Sequence, residues 1–427
     1  MTLPSQVMHP VRGPIRGTIR PPGSKSITNR TLVCAALADG PSELRGVLDS
    51  DDTRVMVAAL EQLGVSLRWD HAADSIAVVG CRGILRSGPL DLHAENSGTT
   101  LRFLAAVLAL GQGRYRLDGN ARMRQRPISD LIEALAALGV NARAELDNGC
   151  PPVVLDASGL PGGTAMVAGD VSSQFLSGLL MAAPYAAAAV ELELSTELIS
   201  LPYVRMTQSV MADFGVAVVA REDRSFGIAP AHYRGRDYDI EPDASAATYF
   251  WGAAAITRGE VVVQGLSRSS LQGDVAFVDC LAEMGCEVTE TTQGLCVRGS
   301  RLRGLEADLR HLSDTVPTLA AVALFADGPT TLRGIGHIRH KESDRIGDLA
   351  RELRRLGATV DEAPDGLRIT PGPLHSASLA SYDDHRLAMG LSLVGLRVPG
   401  IEIENPGCVA KTYPRYFADL AQLTAGV

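Results

Sequence analysis

The sequence predicts an α/β fold built from six repeats, and three observations support this prediction. A helix-ending pattern returns every 70 to 76 residues, and a second, apolar helix returns with nearly the same period. The 427 residues would fill two or three domains of about 150 residues each, and six repeats account for the whole length. Repeats of this size exceed those of solenoid proteins, so we expect compact lobes.

The helix-ending pattern is an amphipathic stretch, a glycine and a β-branched run. A glycine at this place adopts the left-handed conformation that ends many helices, and the run after it predicts a strand. The pattern occurs as LEQLGV, LAALGV, MADFGV, LAEMGC and LRRLGA, with the glycines at Gly64, Gly139, Gly215, Gly285 and Gly357.

The second helix of each repeat has a polar start and an almost entirely apolar body, so it must be buried. Ser, Thr or Asp at a start satisfies the free amides of the first turn. Because helix N-termini also carry partial positive charge, we expect anions to bind there. With short strands, the two helices give each repeat a βαβαββ-like order. The starts lie near Lys25, Gly98, Ser172, Asp243, Asp314 and Asp384.

Composition excludes several classes of protein. Hydrophobic residues make up 46% and charged residues 21%, with mean hydropathy +0.09, so the chain is not disordered. Lys and Arg number 40 against 49 Asp and Glu, and this net charge of −9 argues against binding to nucleic acid or an anionic membrane. The seven scattered cysteines lack CxxC spacing and fit a reducing cytoplasm. Residues 1–25 contain five prolines and no apolar run, so we expect neither a signal peptide nor an anchor.

Three helix starts in the first half carry small hydrogen-bonding residues, and the first two add cations. PGSKS at 22–26 is followed by Arg30, which resembles a phosphate cradle, although a capped helix with solvated cations fits as well and P-loop spacing is missing. NSGTTLR at 96–102 precedes Arg122, Arg124 and Arg126, which form either an anion clamp or a solvated loop. The third start offers hydroxyl and amide groups, which suit a phosphorylated or polyhydroxylated ligand.

The second half carries more ionisable groups. Taken alone, RHKESDR at 339–345 is typical of the solvated start of a helix. However, DDHR at 383–386 and Lys411 place further cations at related positions of the next repeat, and this recurrence favours a functional site. The acidic run Asp49, Asp51 and Asp52 lacks calcium-loop spacing, so we predict that it caps a helix from Thr53 to Leu63. His337 and His340 lack an HExxH motif, which argues against zinc.

These ordered motifs, with RMRQRP at 122–127, SSQF at 172–175 and AKTYP at 410–414, resemble the enolpyruvyl transferases over essentially the full length. The resemblance implies two lobes of three βαβαββ units, each an inside-out α/β barrel with buried central helices. Residues 22–241 would form one lobe, and residues 1–21 with 242–427 the other. It further implies a cytoplasmic monomer that uses no metal and no organic cofactor.

Within this family the motifs are closest to the branch that serves the shikimate pathway, which leads to chorismate and the aromatic amino acids. The implied reaction transfers the enolpyruvyl group of phosphoenolpyruvate to the 5-hydroxyl of shikimate 3-phosphate by addition and elimination, with release of phosphate. The branch that acts on UDP-N-acetylglucosamine has a cysteine shortly before an Arg-Pro pair, and no cysteine lies between Gly111 and Pro127 here. A non-catalytic binding module would be expected to lose the acid or the base.

The resemblance also assigns residues. Asp314 corresponds to the proton acceptor and Glu342 to the proton donor, with Lys25 as a third catalytic residue. The phosphoenolpyruvate set is Lys25, Gly98, Arg126, Gln174, Arg345, Arg386 and Lys411. The shikimate 3-phosphate set is Lys25, Ser26, Arg30, Ser172, Ser173, Gln174, Ser200, Tyr203, Asp314, His337 and Lys341.

Three residues depart from the family pattern. Glu95 stands where glycine is common, Phe103 where proline is frequent, and His337 where asparagine is frequent. Glyphosate competes with phosphoenolpyruvate in this family, and members with alanine in place of Gly98 tend to be tolerant. The resemblance therefore implies a glyphosate-sensitive enzyme, while Glu95 and Phe103 bear on the response.

Overall fold

The computed structural model describes residues 4–426 and divides into two compact units. Gly23–Ile240 form what we call the central unit. The described parts of Met1–Pro22 and Glu241–Val427 form the terminal unit. In the described residues, no helix is both long enough and apolar enough to span a membrane.

Each unit contains six of the α-helices found in residues 4–426. They are α1 (Lys25–Leu37), α2 (Asp51–Gln62), α3 (Gly98–Leu108), α4 (Ser129–Ala137), α5 (Ser173–Ala182), α6 (Leu201–Asp213), α7 (Ala244–Thr257), α8 (Phe277–Glu283), α9 (Val316–Ala323), α10 (Gly347–Arg355), α11 (His385–Ser392) and α12 (Tyr416–Thr424).

The strands are short and join into six sheets within the described residues. They are β1 (Ser5–Val7), β2 (Arg16–Ile19), β3 (Pro41–Arg45), β4 (Ser66–Asp70), β5 (Ser75–Val79), β6 (Leu90–His93), β7 (Gln112–Asp118), β8 (Asn141–Ala144), β9 (Val153–Ser158), β10 (Gly163–Val167), β11 (Val190–Leu194), β12 (Val219–Arg221), β13 (Ser225–Ile228), β14 (Asp237–Asp239), β15 (Glu260–Gln264), β16 (Glu287–Glu290), β17 (Gly294–Arg298), β18 (Glu306–Asp308), β19 (Thr330–Arg333), β20 (Thr359–Ala363), β21 (Gly366–Thr370), β22 (Ala377–Leu379) and β23 (Ile401–Glu404).

The central unit has three mixed sheets with one plan. Their orders are β14-β3-β5-β4, β6-β7-β9-β8 and β10-β11-β13-β12. In each sheet a parallel pair joins an antiparallel hairpin. The parallel strands β6 and β7 are connected through α3, and β10 and β11 through α5, as parallel pairing requires. The first sheet instead takes its parallel strand from the end of the unit, β14.

The terminal unit repeats this plan. Its sheets have the orders β16-β17-β15-β2, β18-β19-β21-β20 and β1-β23-β22. Strand β2 from the start of the chain pairs in parallel with β15 in the first sheet. Strand β1 closes the third sheet by antiparallel pairing with β23. These sheets confirm the βαβαββ order that the repeat pattern predicted, with a single antiparallel strand in the last repeat.

The predicted helix boundaries are largely confirmed. All five helix-ending glycines have positive φ, and every residue of α3 and of α7 is buried. The side chains of Ser172, Asp243 and Asp384 accept hydrogen bonds from amides of the first turn of their helices. Asp314 differs, because it lies in a 3₁₀ turn at Ser313–Thr315 and α9 begins after it.

The predicted capping role of the acidic run is wrong. Helix α2 begins at Asp51 with Ser50 at its N-cap, so Asp52 lies inside the first turn. Asp49 instead accepts hydrogen bonds from Arg54 Nε at 2.7 Å and pairs with His71 Nδ1 at 2.9 Å. Three acidic residues in sequence mark a helix start but do not tell which of them has a more distant partner.

Helices α3 and α5 approach closely at Gly178. A Cβ on Gly178 would lie 2.9 Å from the carbonyl oxygen of Arg102 and 3.4 Å from the Cα of Phe103. Because these are backbone atoms, neither can rotate away. Glycine at this position therefore sets the distance between the two buried helices.

We expect Gly178→Ala to lower the free energy of unfolding by about 1–3 kcal/mol, because overpacking against backbone outweighs the helix propensity that alanine adds. Chemical denaturation measures the change. Gly407→Ala is the matched control, because a Cβ there meets nothing within 4 Å. Equal stabilities of the two variants would contradict this account of the helix contact.

Candidate active site

A buried guanidinium organises the predicted site residues of the terminal unit. The Arg345 side chain is 1% exposed and contacts three carboxylates. Its Nη1 donates to Asp314 Oδ1 at 3.0 Å, its Nη2 to Glu342 Oε2 at 2.7 Å, and its Nε to Asp384 Oδ2 at 2.7 Å. Although burial opposes it, these three carboxylates raise the pKa of Arg345 above its ordinary value. The predicted proton donor and acceptor are therefore held by one cation.

Three further predicted cations join the cluster. Arg386 Nη2 donates to Asp314 Oδ2 at 2.7 Å, so Asp314 lies between two arginines. Lys411 Nζ is 3.8 Å from Glu342 Oε1, and Lys341 Nζ is 4.0 Å from Asp314 Oδ1. Four cations thus surround two carboxylates, an arrangement suited to binding an anion.

The carboxylate of Asp384 both binds Arg345 and caps α11. Its Oδ1 accepts from the backbone N–H of Arg386 at 2.9 Å and caps α11, while its Oδ2 also accepts from Ser343 Oγ at 3.0 Å. The side chain is completely buried. This residue fixes Arg345 and Arg386 relative to each other.

A further buried carboxyl, Asp274, lies in the terminal unit near Asp314. Asp274 is 3% exposed and accepts a hydrogen bond from Ser245 Oγ in α7. Burial, reinforced by the negative charge of Asp314, raises the pKa of Asp274 to about 6. Asp274 is therefore uncharged in a substantial fraction of molecules just below neutral pH.

His337 is neutral at physiological pH. Burial and the positive charge of Lys341 lower its pKa to about 4. Its Nε2 is buried with no hydrogen-bond partner among the described residues. The imidazole is thus available as a neutral hydrogen-bonding group and does not add a positive charge to the cluster.

In the central unit, Lys25 is held by a carboxylate. Its Nζ lies 3.3 Å from Asp52 Oδ2, and the two side chains are 12% and 3% exposed. The backbone carbonyl of Asp52 accepts from Thr100 Oγ1 at 3.5 Å, which connects α2 to the first turn of α3. The start of α1 and the start of α3 are therefore linked through Asp52.

The start of α3 faces two arginines. A Cβ on Gly98 would lie 2.6 Å from both Arg126 Nη2 and Arg102 Nη1. Arg102 in turn donates to Gln174 Oε1 at 2.9 Å, and Gln174 Nε2 donates to Thr99 Oγ1 at 3.0 Å. The structure thus brings together Gly98, Arg126 and Gln174, all predicted to bind phosphoenolpyruvate.

Arg30 lies in a separate group of polar atoms. It donates from Nη1 to the carbonyl of Ser26 at 2.9 Å and from Nη2 to the carbonyl of Tyr203 at 3.2 Å. Ser200 precedes α6 with a left-handed φ of 54°, so the chain turns sharply before Tyr203. Ser172 and Ser173 lie at the start of α5, and the first of them caps the helix through its side chain.

The arginine loop has one buried, one half-buried and one exposed side chain. Arg126 is 3% exposed and donates to the carbonyl of Asn96 at 3.4 Å. Arg124 instead donates to Asp118 at 2.6 Å, and Arg122 is intermediate in burial with its guanidinium near Gln125. Of the three, only Arg126 lies beside Gly98, so a clamp of all three arginines is not formed.

Sequence reasoning missed three residues that hold the predicted set. Asp52 pairs with Lys25, Asp384 with Arg345, and Arg102 with Gln174. Asp52 stands in the acidic run, Arg102 in NSGTTLR and Asp384 in DDHR, so their burial was the missing information. In residues 4–426, no group of three or more His, Cys, Asp or Glu side chains is arranged to hold a metal ion.

Comparisons with known proteins agree across nearly the whole chain. The family model described as EPSP synthase (3-phosphoshikimate 1-carboxyvinyltransferase) matches residues 11–420. The 3-phosphoshikimate 1-carboxyvinyltransferase of Nostoc punctiforme is 44% identical over 96% of this chain and 97% of its own length. The enzyme of that name from Shewanella denitrificans is also 44% identical, with the same two coverages of 96% and 97%.

Solved structures agree in fold. EPSP synthase from Acinetobacter baumannii matches with a TM-score of 0.82 at 25% identity and covers 98% of this chain and 97% of its own. The enolpyruvyl transferase NikO from Streptomyces tendae shares the fold, with a TM-score of 0.80 at 23% identity and coverages of 99% and 98%. The α/β fold with several mixed sheets is therefore common to this chain and to these structures.

The neutral state of His337 predicts a dependence of stability on pH. Its pKa of about 4 in the folded chain lies below the ordinary value of 6.5, so the unfolded chain binds the extra proton between these values. The contribution of neutral His337 to the free energy of unfolding is then fully present above pH 6.5 and is lost as the pH falls towards 4. We expect His337→Asn to retain up to about 3 kcal/mol more of its unfolding free energy across this window.

Chemical denaturation at pH 7.5, 6, 5 and 4 measures this effect. The exposed His340 provides the matched control variant His340→Asn. If His337→Asn loses stability on acidification as steeply as the wild type, burial of a neutral imidazole is not the cause.

Proposed function

The chain belongs to the EPSP synthase family, and from this membership we propose that it joins phosphoenolpyruvate to the 5-hydroxyl of shikimate 3-phosphate. The product is the 5-enolpyruvyl ether, and inorganic phosphate is released. The observation that carries the proposal is the pair of carboxyls, Asp314 and Glu342, held by the one buried guanidinium of Arg345. Such a pair supplies the acid and the base that the chemistry needs.

The proposed reaction has two stages. In the addition, Glu342 gives a proton to C3 of phosphoenolpyruvate, the substrate hydroxyl bonds to C2, and Asp314 accepts the hydroxyl proton. In the elimination, Glu342 takes a proton back from C3, the bond from C2 to the phosphate oxygen breaks as the alkene returns, and the proton held by Asp314 leaves with the phosphate. Protons and electron pairs balance without an oxidant or reductant.

The cations of the terminal unit serve two functions in this proposal. Arg345, Arg386 and Lys411 bind the anionic groups of phosphoenolpyruvate and stabilise the leaving phosphate. A substrate anion on these cations competes with Asp314 and Glu342 for the same N–H groups. This exchange frees the two carboxyls for proton transfer while the cations keep a partner.

The central unit contributes the remaining groups. The residues assigned to phosphoenolpyruvate are Lys25, Gly98, Arg126 and Gln174. Lys25 is also assigned a catalytic role, and its ion pair with Asp52, which holds the ammonium group in place, supports that role. The residues assigned to binding of shikimate 3-phosphate include several with hydroxyl groups and several buried or half-buried cations. They are Lys25, Ser26, Arg30, Ser172, Ser173, Gln174, Ser200 and Tyr203 in the central unit, and Asp314, His337 and Lys341 in the terminal unit.

We assign residues 22–241 to one lobe and residues 1–21 with 242–427 to the other, and each lobe to an inside-out α/β barrel. The buried helices α1, α3 and α5, and likewise α7, α9 and α11, support this arrangement within each unit. The enzyme is proposed to act as a cytoplasmic monomer.

Two alternatives are less well supported. Transfer to UDP-N-acetylglucosamine is not favoured, because the family model and the relatives carry the name of the 3-phosphoshikimate transferase. A silent binding module would not need both carboxyls on Arg345.

Phosphate release should require phosphoenolpyruvate and shikimate 3-phosphate together. Release with UDP-N-acetylglucosamine, or none with either acceptor, would refute the proposal.

Replacing the acid or the base should reduce turnover with a smaller effect on binding. We expect Asp314→Asn and Glu342→Gln each to lower kcat by about 100-fold or more, the scale of positioned proton transfer. Steady-state kinetics with calorimetric binding of shikimate 3-phosphate separates the two effects. Asp327→Asn and Glu306→Gln change exposed carboxylates in the same unit and should leave kcat unchanged. Near-normal turnover in both site variants would remove the assignment.

Gly98→Ala should weaken the binding of phosphoenolpyruvate and of glyphosate, because its Cβ would lie 2.6 Å from guanidinium nitrogens of Arg126 and Arg102. Both neighbours are flexible ends of side chains, so the guanidinium groups move and the fold stays intact. We expect a glyphosate-sensitive native enzyme and a glyphosate inhibition constant about tenfold or more higher in the variant, which corresponds to about 1.4 kcal/mol. Inhibition at varied phosphoenolpyruvate measures it. Equal constants, or native insensitivity, would show that Gly98 does not set the response.

A further inference from the structure

Arg30 is a buried cation whose partners are all neutral. Its side chain is 2% exposed, and no carboxylate of the described residues lies within ion-pairing distance. Besides the carbonyls of Ser26 and Tyr203, it donates from Nε to Thr207 Oγ1 at 2.7 Å and from Nη2 to Ser177 Oγ at 3.4 Å. Burial lowers the pKa of Arg30 to about 10, so the group is still charged at neutral pH.

An aromatic ring completes this neutral surrounding. The Cζ of Arg30 lies 5.2 Å from the centre of the Phe103 ring, and Phe103 is completely buried. The ring reaches this position from α3, whose close contact with α5 at Gly178 fixes the backbone of Phe103. The residue that departs from the family pattern is therefore packed against a predicted substrate ligand.

The ring and a carboxylate would stabilise Arg30 in different ways. A carboxylate neutralises a guanidinium and competes with an incoming anion, as Asp314, Glu342 and Asp384 do around Arg345. The face of an aromatic ring attracts a cation but adds no net charge, and the attraction strengthens where water is excluded. Nη1 carries two N–H groups and donates one hydrogen bond within the protein, so a donor is left for a ligand.

We propose that Phe103 is a positioning residue that holds the Arg30 guanidinium charged and oriented for shikimate 3-phosphate. This inference rests on the proposed function and adds to it a residue that determines affinity for one substrate. Phe103 is completely buried, and its ring faces the guanidinium of Arg30. It acts through Arg30, whose hydrogen bonds to Thr207 and Ser177 fix the plane of the guanidinium while the ring supports its face.

The test replaces the ring without removing its apolar bulk. In Phe103→Leu, we expect the Kd and the KM for shikimate 3-phosphate to rise about 5- to 30-fold, the range expected for loss of a desolvated cation–π contact. The kcat at saturating shikimate 3-phosphate and the KM for phosphoenolpyruvate should stay within about twofold. Phe103→Tyr keeps the ring face and should restore most of the affinity. Isothermal titration calorimetry and steady-state kinetics supply these values.

Phe226→Leu is the matched control, because Phe226 is completely buried in β13 of the same unit and faces no guanidinium. It should reproduce any general loss of stability, followed by thermal unfolding, without the change in shikimate 3-phosphate affinity. Phe103→Met serves as a second ring-free variant if Phe103→Leu does not fold.

The outcomes separate the two proposals. If the wild type does not bind shikimate 3-phosphate, the proposed function fails. If the wild type binds it and folded Phe103→Leu or Phe103→Met binds it equally well, the role of Phe103 fails alone. An equal loss of affinity in Phe226→Leu, or a loss in kcat without a change in KM, also overturns the role of Phe103.

Discussion

The arrangement of the terminal unit depends on the burial of one guanidinium. Taking the charge of Arg345 out of water is costly unless it is paired and hydrogen-bonded, and its side chain is 1% exposed. The three carboxylates that balance it come from a turn before α9, a loop before α10 and the cap of α11. A fold that buries Arg345 must therefore bring these three segments together. The same constraint sets the spacing of the proposed acid and base.

The central unit handles its cations differently, and the difference follows from their partners. Lys25 pairs with the carboxylate of Asp52, Arg126 donates to a backbone carbonyl, and Arg30 is surrounded by neutral oxygens and a ring. The carboxylates that surround Arg345 thus have no counterpart around Arg30 among the described residues. A substrate with a phosphate and a carboxylate gains most from cations of this kind, whereas proton transfer needs the carboxylates that the terminal unit collects.

Local patterns predicted the repeats, and distant pairings were hidden from them. The glycine ending α2 and the capping Asp384 act within one helical turn, so the sequence around them carries the signal. Asp52, which pairs with Lys25, is 27 positions away from it, and Asp384, one of the three carboxylates on Arg345, is 39 positions away. Nothing in the motif of either cation indicates these two pairings. The resemblance to a family supplied roles for Lys25 and Arg345, but the buried ion pairs that fix them required coordinates.

The departures from the family pattern show how much the local backbone tolerates. Glu95 has φ of 47°, a conformation that glycine adopts freely and other residues adopt at a cost of about 1–2 kcal/mol. Its carbonyl accepts from the N–H of Asn120 at 3.0 Å, so the turn before α3 is held from outside. Phe103, the second departure from the family pattern, lies about one turn after the start of the same helix, and its ring packs against Arg30. Both changes leave the first turn of α3 in place, because the cap at Ser97 and the contact of Thr100 with Asp52 hold it independently of either residue. Substitution is therefore tolerated around this helix start as long as its own amides and their immediate partners are unchanged.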